Sequence, residues 1–385
     1  MAITPLDRLL EYKMHLLTDS RQPRVFATWW QDLATAGFAT WFFAGLALSV
    51  NARARGWEDG FLTWPHLVFF MGFLATAAWI AWILVRAHRG DGRTGASAVP
   101  HGYGPAIVGA PLFVVAGLAD LLWHQVLGSQ SAFASLLSPT HLVLIAAAVL
   151  IAGAPWLSAW RRQALGVDPE SIPLEARMAA PALSLGLVVA ALVLFLNYLV
   201  PYAGTPAATA LMLETDVPIP VAGMVFTTVF TLALVLLVSG RFRLPTGFFT
   251  VALAPAALMC AALTGFENGP YVWVFIVSGA WLDFLVWTIR PELRRRRDLL
   301  VFAGAWALPV WAGFLIATGS ATDTWPVAEI GIGAPVVAAV AGALFMLVVQ
   351  PEQRREPRSV PVEPSPFDDV IARAKAMTAN KSESQ

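Results

Sequence analysis

This chain is short of charge. Asp, Glu, Lys and Arg make up 13% of its 385 residues, where a soluble domain carries about 25%. So little charge cannot cover a water-facing surface of this size, which excludes an ordinary soluble enzyme. Cysteine is nearly absent as well. The lone Cys260 lies in an apolar run, which rules out an intramolecular disulfide framework and a thiolate metal cluster. The formal net charge is zero, lysine is rare beside arginine, and no basic block is long enough to hold nucleic acid. The first 25 residues contain no uninterrupted apolar core. We therefore expect no cleavable signal peptide and a first span that serves as its own insertion signal.

What fills the chain instead is apolar sequence: 57% of residues are hydrophobic and the mean hydropathy is +0.65. A helix needs about 20 apolar residues to cross the hydrocarbon core. That ruler predicts an all-α polytopic membrane protein with about ten transmembrane helices, near 31–50, 65–85, 105–127, 140–160, 178–200, 218–239, 246–265, 271–289, 299–318 and 327–349. The weakest division is "SGRFRLPTG", between the sixth and seventh. Arg and Lys crowd the segment before the first span and the even-numbered connections, whereas the odd-numbered ones hold only Arg53 and Arg55. The positive-inside rule then puts both termini in the cytoplasm, with the protein in the cytoplasmic (inner) membrane. Residues 1–28 form an N-terminal segment whose stretch 5–17 suits an interfacial helix or one packed under the bundle. Residues 29–350 form the membrane domain. Residues 351–385, rich in proline and charge, read as a disordered tail with a short amphipathic stretch at 368–378.

Ionisable groups are costly inside such a domain, so they line cavities, pair or bind metals. Asp120 and His124 lie four residues apart near the outer end of the third span, on one helical face. "SPTH" then starts the fourth span, with Ser138 as N-cap, Pro139 in the first turn and His141 just inside. The short connection makes the two helices antiparallel neighbours, so all three side chains can converge. Two imidazoles and a carboxylate suit copper, with zinc or non-haem iron also compatible. A structural ion pair with a capping histidine accounts for the same spacing. His66, in "TWPHLVFF", opens the second span much as His141 opens the fourth. It is read as a fourth ligand, a hydrogen-bonding neighbour of the ligands, or an interfacial residue without a role. Asn197 and Glu329 fall near the same membrane face and are candidates to line the same cavity. Asp283 lies deep in the eighth span, either tied to Arg290 or a neighbouring helix, or acting as a proton relay. Its surroundings, "FIVSGAWLDFLVW", echo "FVVAGLADLLW" around Asp120, which allows an inverted repeat of five plus five spans.

The run Asp120-x-x-Trp123-His124, followed by Ser138-Pro139-Thr140-His141 and an apolar helix, resembles the metal motif of the C subunit of copper membrane monooxygenases, the particulate methane and ammonia monooxygenase family. The resemblance covers about 30 residues. It implies that Asp120, His124 and His141 bind copper and that Trp123 flanks the site, in either an oxygen-activating, monooxygenase-like component or a copper-handling protein. The shared metal site is the closer part of the likeness, ahead of shared catalysis. Departures from the family are a longer loop between the histidines, more spans, and no histidine after His141. Two other functions fit the same residues: a proton- or cation-coupled secondary transporter, and a structural subunit of a membrane complex. The expected partners are the lipid bilayer and other membrane subunits, with no nucleic acid.

Overall fold

A computed structural model describes residues 24–57, 63–93, 95–128, 134, 136–167, 171–289 and 296–349. The expected N-terminal helix at 5–17, the tail from 351 and Arg290 lie outside the described residues. Those residues hold twelve α-helices and no strand, as a chain must when lipid offers no hydrogen-bond partners to an open backbone. In chain order they are α1 (Trp29–Ala54), α2 (Trp64–Asp91), α3 (Gly104–Leu127), α4 (Pro139–Ala152), α5 (Ala154–Leu165), α6 (Leu174–Phe195), α7 (Pro206–Glu214), α8 (Ile219–Ser239), α9 (Phe248–Leu263), α10 (Gly269–Ile289), α11 (Arg296–Thr322) and α12 (Ala328–Val349).

The chain is an all-α polytopic membrane protein. Eight of these helices are long and apolar enough to span a bilayer, or nine if the bent pair α4 and α5 counts as one. The expectation of about ten is therefore corrected at the seventh segment. It folds as α9, only 16 residues long, or about 24 Å at 1.5 Å per residue. A helix that short lies beneath the usual span length, but α9 is enclosed by protein: Ala252, Ala256, Ala257, Cys260 and Ala261 are all fully buried. The fifth segment is corrected too. Its helix ends at Phe195, not near residue 200, and short 3-10 turns at Asn197–Leu199 and Pro201–Ala203 lead into α7. Tyr202 holds this turn in place, stacked on Phe275 and Trp311.

Two local devices set the packing in the first half of the chain. Antiparallel α1 and α2 approach closely through glycine, since a methyl at Gly72 would lie only 2.6 Å from Phe42 Cα. The bend between α4 and α5 is 49° and has a chemical cause. Pro155 supplies no N–H, so the helical ladder opens there. Ser184 of α6 fills the gap: it accepts from Trp156 N at 3.1 Å and donates to Ala152 O at 2.6 Å. Both backbone groups are satisfied, and α5 is turned back against α1.

The polar consequence of that turn is a buried cluster. Asp32 of α1, 2% exposed, accepts from Tyr103 Oη at 2.8 Å and Ser158 Oγ at 3.2 Å. It also pairs with Arg162 Nη1 at 3.1 Å, while Arg162 Nη2 donates to Ala27 O. Thr35 bonds Tyr103 at 2.9 Å and accepts from Trp79 Nε1 at 3.0 Å. Residues from α1, α2, α5 and the turn before α3 are thereby joined around one carboxylate.

Candidate metal centre

Asp120 and His124 face the start of α4 from the C-terminal half of α3. One turn of helix separates them, and Asp120 Oδ2 lies 3.6 Å from His124 Nε2. That is too long for a hydrogen bond, so nothing in this contact occupies the His124 nitrogen. From the other side, Ser138 caps α4 by accepting from His141 N at 3.3 Å. The cap brings Thr140 and His141 to the same carboxylate. Thr140 Oγ1 donates to Asp120 Oδ1 at 2.5 Å, and His141 Nδ1 lies 2.9 Å from that oxygen. The two imidazole rings stand edge to face, 5.7 Å apart.

Proton positions follow from this network. A carboxylate only accepts, so the nitrogen beside it carries the proton. His141 therefore holds its proton on Nδ1. Ser138 Oγ lies 3.0 Å from both His141 Nδ1 and Thr140 Oγ1. Since Thr140 spends its own proton on Asp120, Ser138 donates to Thr140. In the neutral ring a proton on Nδ1 leaves the Nε2 lone pair of His141 open, the state a metal ligand requires, with the hydrogen bond at Nδ1 setting the tautomer.

Asp120, His124 and His141 offer ligand atoms that all lie within 4.8 Å of one another, each residue partly buried. At ligand distances of about 2.0–2.1 Å, a tetrahedral ion wants its donors roughly 3.3 Å apart. Closing the trio takes movements on the order of 1 Å, within reach of side-chain rotation. The residues fit a divalent ion. They are a membrane-embedded Asp/His/His group capable of coordination, though nearly as well satisfied as a hydrogen-bonded pair with a neighbouring histidine.

The remaining sequence candidates fall elsewhere. His66 repeats the local geometry of His141: Thr63 is the N-cap of α2, and His66 Nδ1 lies 2.9 Å from Thr63 Oγ1. No ligand cluster of three or more forms around it among the described residues. Asn197, in the turn after α6, donates its amide to Leu194 O at 2.7 Å and so closes the end of that helix. Glu329 sits exposed in the first turn of α12, and the group of ligand atoms does not extend to it. Trp123 flanks His124 in sequence and is half-buried.

Asp283 has a different occupation. It accepts from Phe249 N at 2.9 Å, from Thr250 N at 3.0 Å and from Thr250 Oγ1 at 2.7 Å. It is the N-cap that α9 lacks, because Gly247 at that position has no side chain. The tie is thus to a neighbouring helix. Asp120 and Asp283 each bind a threonine at a helix start. Asp120 holds the helix after it in the chain, whereas Asp283 holds the one before it, an order a simple repeat would preserve.

Sequence reasoning missed the cluster around Asp32. A signal was present, since an acid stood in the first turn of the first apolar segment. Its partner Arg162 is far off in sequence and read as an ordinary cytoplasmic charge.

No protein family, characterised protein or solved structure gives a match to this chain. The resemblance to the copper monooxygenase subunit therefore stands on the motif alone.

Proposed function

We propose that this protein binds copper through Asp120, His124 and His141, at a site open to the extracytoplasmic side of the inner membrane. The carrying observation is the convergence of three ligand atoms within 4.8 Å, at the adjoining ends of two apolar helices where ionisable groups are expensive. Copper is favoured because imidazole-rich sites bind it most strongly among the divalent ions of this series. The side of the membrane follows from the distribution of arginine along the sequence.

The motif's resemblance extends the proposal to an oxygen-activating, monooxygenase-like component. Bound copper would supply one-electron and dioxygen chemistry there. The chain's own contribution is to hold and orient. Thr140 and Ser138 fix the protons around Asp120 and His141. Leu118, Leu122 and Val126 are 59%, 61% and 79% exposed and lie on the face of α3 opposite Asp120 and His124, so the helix turns its apolar side outward and its ligand side toward α4. A copper-handling role uses the same three ligands.

Metal analysis of the purified full-length protein tests the reading. After copper reconstitution we expect about one ion per chain, lost in both His124→Ala and His141→Ala. Electron paramagnetic resonance should show nitrogen hyperfine coupling from imidazole. A chain that stays free of copper, zinc and iron while driving proton-coupled flux in liposomes would instead be a transporter. Co-purification of a stoichiometric membrane partner by a metal-free chain would make it a structural subunit.

A further inference from the structure

At the far end of α3 from the metal centre, the bundle carries a second site of another kind. From Gly104 to Asp120 the helix rises about 24 Å, and the Asp32 cluster that binds Tyr103 marks that opposite end. Beside this cluster opens a cavity of about 1070 Å³. It lies between the end of α5, the start of α6 and the loop after α8. Arg162, Arg177, Arg241 and Arg243 all line it, and no carboxylate does so among the described residues. Asp32 sits behind Arg162 and balances that one charge. The wall is therefore cationic where Arg241 and Arg243 line it.

The arginines are also presented in a particular way. The guanidinium of Arg241 lies 4.0 Å above the Trp160 ring, an arrangement that holds it flat. Its Nε is shielded from solvent and has no hydrogen-bond partner among the described residues. A planar guanidinium anchored on an aromatic face offers a fork of N–H donors to tetrahedral oxyanions. Trp29 and Phe242 complete the wall, so the cavity joins a cationic floor to aromatic edges at the ends of apolar helices. That is the composition of a pocket at headgroup depth.

We infer that this cavity binds a phosphate-bearing anion, with Arg241 and Arg243 meeting the phosphoryl oxygens. Two sources carry that chemistry: the headgroup of an anionic phospholipid and a soluble phosphate compound. The inference is independent of the metal centre and stands if that reading fails.

Thermal unfolding of the full-length protein in detergent tests it, with dioleoylphosphatidylglycerol, dioleoylphosphatidylcholine or inorganic pyrophosphate added. Native mass spectrometry reports the retained molecules. Phosphatidylglycerol should raise the unfolding midpoint and stay bound where phosphatidylcholine does neither. Its half-maximal concentration should rise about fivefold for each arginine removed, so about 25-fold in Arg241→Gln/Arg243→Gln. Arg89→Gln, on α2 and outside the cavity wall, should leave it unchanged. A shift with pyrophosphate alone would support the site and assign it to a soluble ligand. Should the double glutamine variant fail to fold, Arg241→Lys/Arg243→Lys keeps the charge, loses the fork and should still weaken binding. No shift with either phosphate source, or equal shifts in wild type and both double variants, overturns the inference.

Discussion

Removing Arg162 tests whether the Asp32 cluster is an organising centre of the fold. At 3.1 Å and an effective dielectric near 20, the pair attracts by about 5 kcal/mol before desolvation is counted. Asp32 has a 3% exposed side chain and Arg162 a 13% exposed one, so solvent screens the contact little. Breaking such a pair from one side typically costs about 3–5 kcal/mol, because a buried charge is left without its counterpart. Arg162→Met should therefore destabilise the protein by that amount. Tyr103 and Ser158 remain to hold the carboxylate, which keeps the loss from exceeding it. Asp32→Asn/Arg162→Met removes both charges and keeps an acceptor for Tyr103, so it should recover most of the loss. The assay is reversible unfolding in mixed detergent and dodecyl sulfate, read by tryptophan fluorescence. A loss under about 1 kcal/mol in Arg162→Met, or a double variant no more stable than the single one, would refute the reasoning.

Thr140→Val keeps the shape of the α4 start but removes the proton donated to Asp120. If Asp120 and His141 are ligands, copper affinity should fall about 10–100-fold, measured by competition with a chelator; unchanged affinity would leave Thr140 a purely structural cap. Asp283→Ala strips α9 of its N-cap and should cost about 1–3 kcal/mol. Proton flux that collapses in Asp283→Asn at full stability would restore the relay role. Gly72→Ala forces a methyl toward Phe42 Cα and should cost about 1–3 kcal/mol through overpacking, visible in the same unfolding assay. A neutral result there would mean that α1 and α2 separate easily.

The candidate metal centre was legible because its parts are local. Asp120 and His124 share a helical face through their spacing, and Ser138-Pro139 starts the next helix after a short connection. Only the role of Thr140 needed coordinates. The Asp32 cluster was not legible, because Arg162 reaches Asp32 only through the Pro155 bend and the Ser184 patch. Nothing in the periodicity around either residue announces the other. The cap that Asp283 provides was hidden for a similar reason: "LPTGFF" reads as a turn, and the missing N-cap is supplied from another helix.

Composition and apolar segment length determined by themselves that the chain is helical and membrane-embedded, because lipid leaves a backbone few other ways to satisfy its hydrogen bonds. The sequence also determined which short stretch gathers the metal-ligand residue types. Tertiary structure alone decided that α9 is a short enclosed helix, that α4 and α5 meet at 49°, and that four arginines surround one cavity. Those outcomes depend on which helices pack together, and apolar surfaces of similar composition carry little record of their partners until the side chains interlock.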